Sequence, residues 1–348
     1  MIKVFITVIL IFLIQTGNVF SNTNIFDVDN IELNNLNDQN REKLLNTSIK
    51  KGFDQLMQKI LQKKYLEAVS NLSLKEIKKM ISSYQIIEKK ENTNGEKTLV
   101  NLSFDRVKIN EFFYKKNILY ADVSKTDVII LPILIKDDKY FIYSNNYFFN
   151  NWNNEKYKKQ DEFINYILPT ENLEDIQFII NNKDKLESLE LKNFFSSYEI
   201  KDTIFLAISS LKNKTDIFLK AQVSGNDIIK NYSYQTNFFK EDDKKKFIIE
   251  TVKAEIEEIW KSQNLIDVRT PSFLNIYFRI KNQNDLLSLT STLSKIDLIE
   301  NYQVLELTKK YAKVKIKYFG KISKIKNKFT ENDIKVNIIN SEWKLGLN

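Results

Sequence analysis

TDVIILPILIKDD, Thr126–Asp138, decides how this chain is read. From Val128 to Ile135 the run is apolar throughout, with Pro132 inside it. A helix needs about 20 residues to cross a bilayer, so this run is too short to span one. A strand that is apolar at every position has no face for water, which predicts a central strand with helices on both sides of its sheet. Pro132 has no N–H, so it is expected at the strand end, at a bulge or on an edge. KDDKYFIYS (136–144) then turns back as a hairpin.

The surrounding segment, 126–267, continues in the α/β manner. FINYILP (163–169) reads as another strand, followed by helices to about Ser197 that Thr170 or Asn172 caps. Three strands follow: DTIFLAISS, TDIFLKAQV and IIKNYSYQTNFF. Glu241 to Gln263 reads as a long amphipathic helix with Ile248, Val252, Ile256 and Ile259 on one face. Its acidic start suits the helix dipole.

Upstream, 22–125 reads as β-α-α-β-β-α. Its landmarks are a strand in IFDVDNIEL, a helix from about Asn40 to Lys63 and a capping box at Ser73–Glu76. A hairpin about Asn94-Gly95 and a helix capped by Asp105 complete it. Downstream, Pro271 marks a linker. Residues 272–348 then read as β (272–280), α (284–295), β (299–307), β (311–319), α (321–331), β (334–347), the order of the ferredoxin-like split unit. The expected fold class is therefore a multi-module α+β and α/β chain. It has an N-terminal βααββα module, a middle mixed-sheet α/β module and a C-terminal ferredoxin-like βαββαβ module.

MIKVFITVILIFLIQTGNVFSNTN places Lys3 before an apolar run from Val4 to Ile14, then Val19-Phe20-Ser21. That is the order of a secretory signal over 1–21, cleaved after Ser21. The expectation is a periplasmic protein, or alternatively one anchored to the inner membrane by the uncleaved segment.

Composition excludes several chemistries. The 348 residues contain no Cys and no His. Thiol nucleophiles, disulfides, Ser-His-Asp triads and imidazole zinc ligands are all absent. The 6 glycines, at 17, 52, 95, 225, 320 and 346, stand too far apart for a phosphate-cradling loop. No cofactor is expected.

The order of landmarks resembles a known family. These are the helix from Arg41 to Lys63, SYQIIEKKE (83–91), LVNLSFD (99–105) with a helix after it, and VIILPILI followed by Trp152. Together they are similar to an uncharacterised, exported proteobacterial family, domain of unknown function number two thousand and sixty-six. Asn and Lys here stand where that family favours Ala, Gly and Arg. The resemblance implies an envelope protein with no assigned activity, and it carries over no functional residues. At the level of fold alone, the middle segment also looks like the α/β modules of periplasmic assembly proteins. Examples are the activators of cell-wall synthases and the amino-terminal domain of the Tol translocation protein.

Three groups of residues are candidates for chemistry. Glu171 and Asp175 in LPTENLEDIQ are four apart and follow a strand, which suits a carboxylate pair for glycoside cleavage. Acids also gather at helix N-termini for the dipole alone. Asp137 and Asp138, with Asp122 and Asp127, offer oxygens for a hard cation but lack the calcium-loop spacing. Turn geometry explains them more simply.

The third group is basic. Residues 272–348 hold 14 Lys and Arg against 7 Asp and Glu, a net of +7 out of +8 for the whole chain. In YAKVKIKYF, Lys313, Lys315 and Lys317 alternate with apolar residues, so they share one strand face. Helices cover one face of a split unit, so the lysines belong on the open one, with Lys309 and Lys310 at the preceding turn. Such a face suits an envelope protein or an anionic membrane surface. Nucleic acid is not expected, because export separates the chain from it and the strand lacks the aromatic RNA-binding pattern.

The reading is thus an exported, non-enzymatic binding or scaffolding protein of the cell envelope. The alternative is a periplasmic hydrolase using Glu171 and Asp175.

Overall fold

A computed structural model describes residues 24–34, 41–91, 95–123, 125–158, 162–211, 213–282, 284–339 and 342–347. The expected signal segment, 1–21, and Asn94 of the expected hairpin turn lie outside the described residues. The architecture is mixed α/β, with several sheets.

The first sheet has the order β1-β3-β2, formed by β1 (Asp27–Asn34), β2 (Ile81–Glu91) and β3 (Gly95–Phe104). Between β1 and β2 lie α1 (Arg41–Ile60), α2 (Lys63–Ser70) and α3 (Leu74–Lys79). α1 buries Ile49, Phe53, Leu56 and Ile60, one stripe at helical spacing. Gly52 lets it close on the sheet: a Cβ there would stand 2.5 Å from Leu102 Cδ1 and 2.6 Å from Ile31 Cδ1. Ser73 and Glu76 form the expected capping box on α3. Asp105 caps α4 (Arg106–Lys116) through the Val107 and Lys108 amides. The short β4 (Tyr120–Ala121) follows.

The expected β-α-α-β-β-α order is corrected by one helix, α2. The ammonium of Lys261 accounts for the break, since it donates to the carbonyls of Gln58 at 2.6 Å and Leu61 at 3.0 Å. Those carbonyls end α1, and a cation there is favoured by the helix dipole.

The second sheet is built on Thr126–Lys136, now β5. Around it stand β6 (Lys139–Phe141), β7 (Ile164–Ile167), β8 (Thr203–Ser210), β9 (Lys214–Val223) and β10 (Asn226–Gln235), in the order β10-β9-β8-β5-β6 with β7 also on β5. The faces of β5 feed two cores. Val128 and Ile130 join one, while Ile129, Leu131 and Ile133 join the other. α8 (Glu241–Gln263) packs on the first; α6 (Leu173–Asn181) and α7 (Leu191–Phe194) pack on the second. Burying both faces contributes about 1.5–3 kcal/mol per large side chain. This explains why no position in the run is polar.

Pro132 departs from expectation, because it lies in the strand interior. β7 pairs in parallel with Thr126–Ile129, and β6 pairs antiparallel with Leu134–Lys136 along the same edge of β5. Among the described residues, the stretch between them has no strand partner on that edge. A residue's N–H and C=O point to the same edge of a strand. The Pro132 carbonyl faces this gap, where the buried Asn146 amide donates to it at 2.7 Å. The missing N–H therefore faces the gap too, and pairing with β8 loses nothing. Asn146 also caps α5 (Tyr147–Asn151) through the Phe148 and Phe149 amides.

The third sheet has the order β13-β14-β12-β16-β15. Its elements are β12 (Ser272–Arg279), α9 (Asp285–Lys295), β13 (Ile299–Leu307), β14 (Tyr311–Tyr318), α10 (Ile322–Glu331), β15 (Ile334–Ile339) and β16 (Glu342–Leu347). The single strand expected over 334–347 is a hairpin. β15 takes the outer edge and β16 returns beside β12, in parallel. Val336 and Leu345 both side with the core in this register.

The helical side of this sheet meets the rest of the chain. β11 (Leu265–Ile266) pairs with β4. Arg106 Nη1 donates to the Ile296 carbonyl at 3.1 Å, and Lys321 Nζ to the Gln263 carbonyl at 3.0 Å. Lys324 lies 3.7 Å from Asp122 and over the Trp260 ring. One hydrophobic cluster runs from Phe26 through Trp260 to Phe329.

Candidate functional site

The side of the third sheet away from its helices is the basic one. Along β14, Ala312, Val314, Ile316 and Tyr318 are buried while Lys313, Lys315 and Lys317 point the other way. Strand register sets their neighbours. Phe273 stands opposite Lys317, Asn275 opposite Lys315, Tyr277 opposite Lys313 and Arg279 opposite Tyr311. Lys344 joins through Tyr277, and Lys335 lies beyond it on β15, opposite Gly346. Lys309 and Lys310 are exposed on the β13–β14 turn.

This face carries six cations: Arg279, Lys313, Lys315, Lys317, Lys335 and Lys344. Three carboxylates temper them. Glu300 meets Lys317 at 2.7 Å, Glu342 lies 3.8 Å from Lys344, and Glu306 is paired across from Lys313. Lys313 and Lys315 also lie over aromatic rings, those of Tyr277 and Phe273. A ring attracts a cation without neutralising it. Tyr311 donates to Glu306 at 2.6 Å, and that bond holds its phenol above the ordinary value. The alternation in YAKVKIKYF identified the lysines; the aromatic partners sit mostly on β12 and needed the register.

Glu171 and Asp175 border a cleft of about 940 Å³. Its walls include Phe178, Phe194, Glu190, Lys185 and Tyr198. Both acids are engaged by the fold. Tyr143 donates to Asp175 Oδ2 at 2.8 Å, and Ser144 to Glu171 Oε1 at 3.3 Å. Burial, then the Asp175 carboxylate, push the Tyr143 phenol far above its usual range, so it remains a donor. Of the two caps expected, Thr170 or Asn172, it is Asn172 that caps α6, accepting from the Glu174 amide.

The four aspartates of the suggested cation site are not brought together. Asp137 and Asp138 take φ of 50° and 58° and form the two-residue turn between β5 and β6. Asp127 lies at the opposite end of β5, about 30 Å away at strand rise, and accepts from Asn165 at 2.8 Å. Asp122 pairs with Lys324.

A further group escaped the sequence reading. Lys253 of α8 and Glu162 form a buried ion pair at 3.1 Å, with the ammonium over the Tyr166 ring. They line a cavity of about 520 Å³ with Asn153, Asn165 and Lys125. Lys253 sits on the apolar stripe of α8, where composition gives no sign that its partner comes from another element.

Neither a family model nor a curated protein matches the chain.

Proposed function

We propose that the chain is a non-enzymatic binding or scaffolding protein of the cell envelope that contacts an anionic partner through the open face of its third sheet. The supporting observation is the alignment of Lys313, Lys315 and Lys317 with Arg279, Lys335 and Lys344 on a face whose opposite side holds the helices and the joint. Six like charges repel one another on a folded surface, and an anionic partner relieves that cost. The reading includes export by the 1–21 segment, a periplasmic location and no nucleic-acid partner. It also treats the chain as three modules, with the third a split βαββαβ unit whose last strand is doubled.

Recovery of the tagged protein with its native envelope fraction tests this reading. Wild type is compared with the Lys313→Glu, Lys315→Glu, Lys317→Glu variant. A component recovered by wild type and lost from the variant is expected. Identical recovery from both contradicts the reading.

The cleft beside Glu171 and Asp175 favours a second reading, a hydrolase of a periplasmic polymer. It requires that Glu171→Gln and Asp175→Asn each abolish polymer cleavage by the purified protein. The hydrogen bonds already made by both carboxylates favour a structural role for them.

A further inference from the structure

The open face differs from a pocket in ways that bear on its partner. Its cations are spread over β12, β14, β15 and β16 rather than converging on one point. Five strands of 6 to 9 residues make a platform of about 24 by 24 Å. Five of the six cations are lysines, which act as mobile point charges. Fixed recognition of a carboxylate or phosphate favours the arginine fork.

Apolar and aromatic groups stand among these charges. Phe273 is 57% exposed and Ile339 is 48% exposed, and both share the face. Tyr277 and Tyr311 share the face toward its Arg279 end, with ring centroids 6.1 Å apart. Phenylalanine and isoleucine side chains gain by entering the acyl boundary. Tyrosine settles at the headgroup level, and lysine stems reach back to the phosphates.

We infer that the anionic partner is a lipid surface. The open sheet face lies flat on a bilayer rich in anionic headgroups, with Phe273 and Ile339 entering it and Lys313, Lys315, Lys344 and Arg279 above the phosphates. This rests on the proposed role of the face and adds the identity of what it meets. The attraction depends on net charge, so Glu300 opposes it by neutralising Lys317 at 2.7 Å. Removing that carboxylate strengthens adsorption, an effect that a merely solvated lysine surface does not produce.

The test is co-sedimentation of the full chain with vesicles of phosphatidylglycerol and phosphatidylethanolamine, 1:1, against phosphatidylcholine vesicles. Wild type is expected to bind the anionic vesicles and to leave them at high salt. The Lys313→Glu, Lys315→Glu, Lys317→Glu variant should bind about a hundred-fold more weakly. Glu300→Gln should bind about two- to five-fold more tightly. Phe273→Ala should weaken binding at every salt concentration at which wild type binds. Release of wild type by salt reports on charge without any substitution, so a misfolded variant does not decide the outcome. Equal binding to both vesicle types, or none to either, overturns the lipid assignment. In that case, a protein lost from the triple variant in the envelope recovery leaves the broader reading standing. Identical recovery there removes both.

Discussion

The side-chain amide of Asn146 donates to the Pro132 carbonyl at 2.7 Å inside the gap that β6 and β7 leave along one edge of β5. The same amide nitrogen reaches the carbonyls of Phe141 and Ile142, and its oxygen accepts from two backbone amides of α5. One buried side chain thus satisfies the backbone where two unlike strands meet a third. Asn146→Ala strands these groups away from water and is expected to cost about 3 kcal/mol. Asn146→Asp should cost more, since a carboxylate cannot donate to a carbonyl. Urea denaturation midpoints measure both. An alanine variant as stable as wild type contradicts this account of the gap.

Lys253 and Glu162 are buried together, and removing one leaves the other charge buried without its counter-ion. Lys253→Met is expected to destabilise the protein by about 3–5 kcal/mol. Adding Glu162→Leu to it should restore most of the loss. A double variant less stable than the single one would show that the pair does more than compensate itself.

The Lys261 ammonium ties the end of α1 to α8 through the Gln58 and Leu61 carbonyls. Lys261→Met keeps the stem and deletes the donor, and should cost about 2 kcal/mol. Amide exchange should accelerate in the last turn of α1 before it does in β5. Unchanged exchange at 57–61 refutes the tether.

Asp297 gives a pH dependence with a definite sign. Burial raises its pKa above the ordinary carboxylate value; Lys328 and Arg106 oppose the rise and Asp122 adds to it. The folded state therefore holds this proton more tightly than the unfolded chain does. Its contribution to stability falls as pH rises from about 4 through the folded-state value. Asp297→Asn should flatten that part of the pH–stability curve and raise the midpoint at neutral pH relative to wild type. A variant that instead steepens the fall would reverse the assignment.

The parts of this fold that were readable in the residues are those with a local cause. β5 was readable because every position from Val128 to Ile135 is apolar, α8 because its acids and its stripe agree, and α3 because Ser73 and Glu76 cap it. The lysine face followed from strict alternation in β14. What escaped depends on contacts across the chain. α2 is separated from α1 by a lysine two hundred residues away, and Asn146 is polar yet wholly buried because a gap in the sheet needs it. Neither glycine nor proline separates Ile339 from Glu342 in the sequence to announce the β15–β16 hairpin. The cleft beside Glu171 arises from the packing of α6 and α7, which no spacing of acids reveals.

The central claim is that the open face of the third sheet is the contact surface. Lysine acetylation of the full chain, free and bound to its native envelope fraction, tests this residue by residue. Lys313, Lys315 and Lys344 are expected to lose reactivity on binding, while Lys185 in the cleft and Lys75 on α3 keep theirs. Protection of Lys185 with Lys313 and Lys315 still reactive would contradict the account and move the contact to the cleft.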